Sequence, residues 1–298
     1  MKKVTDIKKL KLISKEIRRD IIKMLTEAKS GHPAGALGMA DVFTALYFNV
    51  MNHNPKKPWW PERDRFILSN GHICPVWYAT LANAGYFPKK ELMTLRKINS
   101  RLQGHPHIHS APGIENTSGP LGQGISVAVG MALAARLDNK KYNVFCGISD
   151  AELQEGQTWE ALMFAGNPSF KEEHTLDNLI VVLDRNFIQI SGSTEIVMPL
   201  EPLKKKLEAF KWRVLEINGH NMHQVVSILD KSTRPEKCSC EECKTCKTCA
   251  EDHLIRKPTM IICNTIPGAG VSFMEGKPEW HGKPPSPKEA KKALKELK

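Results

Sequence analysis

Residues 149–156 read Ser149-Asp150-Ala151-Glu152-Leu153-Gln154-Glu155-Gly156, and residues 183–188 read Leu183-Asp184-Arg185-Asn186-Phe187-Ile188. Each stretch closes a hydrophobic run, 142–148 in one case and 178–183 in the other, that reads as a buried strand. In an open α/β sheet, ligands collect at the C-terminal ends of parallel strands. A carboxylate at Asp150 and an amide at Asn186 in such places would let a hard cation and phosphate oxygens meet.

Working outward, further strands are expected at 65–69, 212–217 and 259–264. They alternate with helical periodicity at 5–28, 41–50, 125–136, 156–165, 200–210 and 221–230. Strands alternating with helices predict an α/β fold, a doubly wound, mostly parallel sheet flanked by helices. The expectation is a single domain over residues 1–298, with a Cys-rich insertion at about 236–252 and one last exposed helix after Ser286.

The 298 residues are 41% hydrophobic, enough for a substantial core. No apolar stretch approaches the roughly 18–20 residues of a membrane span, so no membrane partner is expected. The Lys-rich beginning lacks an apolar signal core, and a cytoplasmic protein is the expectation. A formal charge of +11 favours anionic partners. Much of it sits in terminal Lys clusters that read as solvated helix faces, and no nucleic-acid motif accompanies it. Phosphorylated metabolites suit the charge better than nucleic acid.

Five of the eight cysteines, Cys238, Cys240, Cys243, Cys246 and Cys249, crowd one segment. Their spacing suits a tetrahedral Zn²⁺ site, with an iron–sulfur site and a loop of free thiols as the other readings.

Several short motifs join the opening pair in order: Ser30-Gly31-His32-Pro33, Ser69-Asn70-Gly71-His72, Gly104-His105-Pro106, Gly119-Pro120-Leu121-Gly122-Gln123-Gly124 and Trp280-His281-Gly282. Together they resemble the transketolase family across nearly the whole chain. The resemblance implies a thiamine diphosphate-binding fold, with a cation (Mg²⁺, or Ca²⁺ or Mn²⁺) on the Asp150 and Asn186 side chains and the Ile188 carbonyl. It implies cofactor contacts at His72, Gly119, Pro120, Leu121, Asp150, Ala151, Glu155, Asn186 and His281. It assigns His32, His105 and His281 to catalysis, for which imidazole suits proton handling near neutral pH. Glu155 and Glu160 would lie at a subunit interface. Two positions depart from the family pattern: Ser149-Asp150-Ala151 replaces Gly-Asp-Gly, and Ser191 stands where an Asp is usual.

The implied activity is transfer of a two-carbon ketol unit between sugar phosphates, as in the pentose phosphate pathway. In the family, a Glu on a pyrimidine-binding domain activates the cofactor, and the residues after His281 are too few for another domain. The resemblance is therefore to the N-terminal subunit of a split transketolase, completed by a separate C-terminal subunit in an α2β2 assembly. Other thiamine diphosphate enzymes of the deoxyxylulose phosphate synthase or ketoacid dehydrogenase type, and a non-catalytic cofactor-binding or regulatory subunit, are the alternatives.

Overall fold

A computed structural model of the protein describes residues 2–167, 175–233, 236–237 and 254–298. The five candidate zinc cysteines lie outside the described residues.

Helix α1 (Ile7–Ala28) starts where the Asp6 side chain accepts the Lys8 and Lys9 backbone N–H groups, and it stops at Lys29, whose φ of 51° breaks the helical run. Leu10, Ile17, Ile21 and Leu25 recur on one buried face. Short helices α2 (Pro33–Gly38) and α3 (Ala40–Ala45) follow. The helix expected to run on to residue 50 widens instead into a π-type turn over Leu46–Val50, where Met51 N–H reaches Leu46 O. Within that turn the Phe48 carbonyl accepts from Val4 N–H, and Asn49 Nδ2 donates to Val4 O.

Next come β1 (Arg65–Leu68), α4 (Cys74–Ala84), α5 (Gln123–Leu137), β2 (Val144–Ser149), α6 (Gly156–Ala165) and β3 (Leu179–Arg185). A small hairpin, β4 (Ile188–Gln189) with β5 (Gly192–Ser193), precedes α7 (Thr194–Val197), α8 (Leu203–Ala209), β6 (Arg213–Asn218) and α9 (Met222–Ser232). The pair β7 (Glu236–Lys237) and β8 (Leu254–Ile255), then β9 (Thr259–Asn264) and α10 (Pro287–Glu296), complete the chain.

Five strands form one parallel sheet in the order β1-β2-β3-β9-β6. Side chains alternate across it, as the period of two requires. Phe66, Phe145, Ile180, Val182 and Ile261 join a core with α1, α3, α4 and α9, while Ile67, Cys146, Ile148, Val181 and Leu183 join a second with α5, α6 and α8. Both faces are covered, which explains the unbroken hydrophobic runs of β2 and β3. Helix α10 is not simply exposed: capped by Ser286, it buries Ala290 and Ala293 beside α1, and Arg19 donates to the Leu294 and Leu297 carbonyls. Among the described residues no helix is long and apolar enough to cross a membrane.

Candidate functional site

The register pairs Ser149 with Asp184 and Arg185 with Asn264, so the ends of β2, β3 and β9 form one edge. Three carboxyl groups build a floor there. Asp150, 0% exposed, accepts at Oδ2 from Phe187 N–H (2.8 Å) and Arg185 Nη1 (3.2 Å), and at Oδ1 from Ala151 N–H (2.8 Å). Burial pushes its carboxyl up to about 6 despite these donors. Asp184 accepts from the Thr265 hydroxyl and from Asn186 Nδ2; burial, with Asp150 adding to it, pushes it up to about 7. Glu152 takes the Ser69 hydroxyl (2.6 Å) and Gly122 N–H (2.8 Å) at Oε1, and Ser149 N–H (3.0 Å) at Oε2. Burial raises it to about 7.

Glu152 thereby ties β1, β2 and the 119–124 loop together. The loop lies so close to β1 that a Cβ at Gly124 would sit 2.5 Å from Ser69 Cα. At Gly122, which caps α5 with φ of 77°, an added Cβ would meet Thr158 Oγ1 at 2.8 Å. These two glycines serve packing. Of Gly119, Pro120 and Leu121, only Leu121 lines the adjoining cavity, while Gly119 abuts His105.

A wall of imidazoles rises over the floor. His32 stands at the entrance to α2, His72 in the Gly71–Ile73 turn after β1, and His281 after the Pro278–Trp280 turn. Their ring centroids are 5.2, 5.5 and 5.3 Å apart pairwise, mostly edge-on. Burial, followed by mutual repulsion with the other imidazoles, lowers His32 to about 4 and His72 to about 3. His281 is lowered by burial, and the exposed His105 by partial burial and then Arg96. All four are neutral bases at physiological pH. His107 is exposed, and His109 packs its ring on Trp59 at 4.7 Å.

Beside the wall lies a cavity of about 260 Å³ lined by His72, His281, Leu121, Ser149, Ala151, Gln154, Glu155, Asn186, Ile188, Gln189 and Ile190. Seven of the residues singled out from sequence thus meet at one cavity. Asp150, His32, His105, Gly119 and Pro120 do not line it, although Ser149 and Ala151 on either side of Asp150 do and His32 packs on the lining rings of His72 and His281. Glu155 is on the cavity and exposed, and Glu160 is exposed on α6.

The fit to a phosphorylated cofactor rests on polar atoms the protein leaves unsatisfied. Ser149 Oγ, both side-chain atoms of Asn70, Ser118 Oγ and His32 Nδ1 are buried with no partner among the described residues. Buried polar groups are normally paired, so a concentration of orphans at the strand ends marks where a ligand's hydrogen bonds go. Ala151 fits as well: it lies in a 3-10 turn and is absent from the residues with positive φ, so its methyl carries no backbone strain.

Sequence reasoning passed over Glu152, Asp184 and Arg185. Ser149-x-x-Glu152 has the spacing of a capping box, a readable signal. Nothing local marks Arg185, whose partners Asp150, Glu195 and Glu201 are brought to it by the fold.

Comparison with known proteins agrees with this geometry. Residues 10–297 match the family model of the transketolase thiamine diphosphate binding domain. The chain is 42% identical to the 6-deoxy-6-sulfo-D-fructose transketolase subunit SqwG of a Clostridium species, over 88% of this chain and 86% of that one. It is 40% identical to an apulose-4-phosphate transketolase subunit of Actinobacillus succinogenes, over 96% and 94%. The crystal structure of Campylobacter jejuni transketolase superposes with a TM-score of 0.84 and 31% identity, covering 98% of this chain and 43% of that one. The chain thus spans under half the length of that transketolase and nearly the whole of the two subunits. The family-model match over residues 10–297, with the identity to subunits of matching length, places the chain in the transketolase family, as its thiamine diphosphate-binding domain.

Proposed function

We propose that this chain is the cofactor-binding subunit of a two-chain transketolase that moves a two-carbon ketol unit between sugars carrying a terminal anion. The observation that carries this reading is the cluster of three mutually touching, neutral imidazoles, two of which line a cavity that also carries the unsatisfied Ser149 Oγ. Relatives of matching length bear the names of subunits, which supports a separate C-terminal partner. The substrates in their names, a sulfonated fructose and apulose 4-phosphate, suit a basic chain of charge +11 and favour sugars outside the pentose phosphate set.

When bound, thiamine diphosphate supplies the nucleophilic carbon that accepts the ketol unit. The chain's own residues then divide the work. Ser149 Oγ and the Asn70 amide, both unsatisfied, would donate to phosphate oxygens. The Asp150 carboxylate, the Asn186 amide oxygen and the Ile188 carbonyl would hold Mg²⁺ or a similar hard cation. Among the described residues no three His, Cys, Asp or Glu side chains converge as a metal site, so such a cation would take amide, backbone and phosphate oxygens as well. His281 and His32, neutral near pH 7, exchange protons with substrate hydroxyls, and His105 holds a hydroxyl from the rim.

The test is reconstitution. Alone the chain should show no ketol transfer; with a C-terminal transketolase subunit, thiamine diphosphate and Mg²⁺ it should gain it. Full activity without a partner overturns the two-chain reading. Asp150→Ala should abolish Mg²⁺-dependent cofactor binding in a calorimetric titration, and unchanged affinity would move the cation elsewhere.

A further inference from the structure

Arg185 ends β3 with a side chain only 1% exposed, and it neither lines the cavity nor transfers protons in the scheme above. Its Nη1 donates to Asp150 Oδ2 and Thr194 Oγ1, both at 3.2 Å. Its Nη2 donates to Glu195 Oε1 at 2.7 Å and Glu201 Oε1 at 2.9 Å. The Phe187 ring lies over the guanidinium carbon at 3.9 Å. One side chain therefore joins the end of β2 to both ends and the middle of the segment 187–201.

That segment has little else to hold it. Ile190 and Ile196 are 79% and 86% exposed, and Thr194 and Leu200 are its only buried side chains. Its other cross-ties are few: Phe187 N–H donates to Asp150 Oδ2, Lys206 Nζ donates to the Leu200 carbonyl, Gln154 Nε2 donates to the Thr194 and Met198 carbonyls, and Gln154 Oε1 accepts from Gln189. Segments with few buried apolar contacts open at low free energy. Yet this segment supplies Ile188, Gln189 and Ile190 to the cavity.

We propose that Arg185 is a positioning residue that staples the segment 187–201 onto Asp150, fixing the outer wall of the cavity and the orientation of the Asp150 carboxylate together. Arginine suits the task because its planar fork presents five donors in fixed directions, whereas a lysine ammonium reaches fewer partners at once. Charge is compatible with a cation nearby: one guanidinium faces the carboxylates of Asp150, Glu195 and Glu201, so the cluster keeps an excess of negative charge.

The inference borrows from the proposed function only the identity of the ligand. Arg185→Met, Arg185→Lys and the double variant Glu195→Gln/Glu201→Gln are compared with the wild-type full chain. The first readout, taken without cofactor, is limited proteolysis with cleavage sites located by mass spectrometry. The second is Mn²⁺ affinity in the presence of thiamine diphosphate, followed by electron paramagnetic resonance. Cleavage within 187–201 should accelerate tenfold or more in Arg185→Met and in the double variant, Mn²⁺ affinity should fall at least tenfold in Arg185→Met, and Arg185→Lys should lie between. If Arg185→Met does not fold, the double variant decides, since it leaves Arg185 and Asp150 in place. Cleavage within twofold of wild type in the double variant, or wild-type behaviour of Arg185→Lys in both assays, overturns the staple. Failure of the wild type to bind thiamine diphosphate would instead sink the functional reading, while the cleavage rates still judge Arg185.

Discussion

His72 and His281 of the histidine wall line the cavity while the carboxylates of Asp150, Glu152 and Asp184 do not, and the protein treats the polar atoms of the two groups oppositely. His32, His72 and His281 touch one another, and His32 Nδ1 has no partner among the described residues. Glu152 and Asp150 each accept three hydrogen bonds from the chain itself. Groups satisfied internally hold the strand ends in register, and groups left unsatisfied are those a ligand can engage. The contrast predicts that substitution of Glu152 costs stability and substitution of the wall costs turnover, with Asp150 serving both the floor and the proposed cation.

The largest effect should come from Glu152→Ala. It strands three buried donors, on Ser69, Gly122 and Ser149, and each such orphan costs about 1–3 kcal/mol. A loss on the order of 4 kcal/mol or more is expected in urea unfolding, and a wild-type midpoint would break the comparison at its floor. His281→Ala should do the reverse. Its stability should change by less than about 1 kcal/mol, while turnover of the reconstituted pair falls on the order of a hundredfold or more. Loss of cofactor affinity with normal turnover at saturation would make His281 a binding group instead.

Acid provides a subtler test of the wall. His32 and His72 are lowered to about 4 and about 3, below the ordinary 6.5 of an unfolded histidine. A depressed folded value means that the unfolded chain binds the proton first. The stability these groups contribute is therefore complete above pH 6.5 and is lost as pH falls through the folded values. The ring protons of both should show no titration in NMR spectra between pH 8 and 5. His32→Asn should flatten the stability slope between pH 6.5 and 4 by up to about 1.4 kcal/mol per pH unit, the value for one proton. A ring titrating near 6.5 would mean that the wall is open to water.

The same contrast explains what was legible in the sequence. Strand runs such as 142–148 and 178–183 announce burial on both faces, because side chains of both parities are apolar. The wall residues sit in Gly- and Pro-marked turns whose local chemistry is visible. The floor is a set of long-range pairings, Ser69 with Glu152 or Thr265 with Asp184, and no window of sequence contains both members. Asp150 shows the limit well. It stands out from sequence as a ligand, whereas the Arg185 donor on its Oδ2 comes from a residue 35 positions away and is not visible there. The α10 helix shows the same limit: its polar surface was evident, while the small alanines that let it lie beside α1 were not.

The smallest expected effect is at Ala151, where the family pattern has Gly. A glycine there would be required only if φ were positive, and Ala151 sits in a 3-10 turn without positive φ. Its N–H is already directed at Asp150 Oδ1, at 2.8 Å, so the methyl does not decide where the backbone points. Ala151→Gly should therefore bring no gain in cofactor affinity, with a calorimetric constant within twofold of wild type. It should instead cost about 0.5–1 kcal/mol of stability, because glycine gives the unfolded chain more freedom to lose on folding. A fivefold tightening of cofactor binding, equivalent to about 1 kcal/mol, would show that the methyl holds the turn away from its ligand-bound geometry. Ala151 would then belong with the unsatisfied atoms of the cavity rather than with the settled floor.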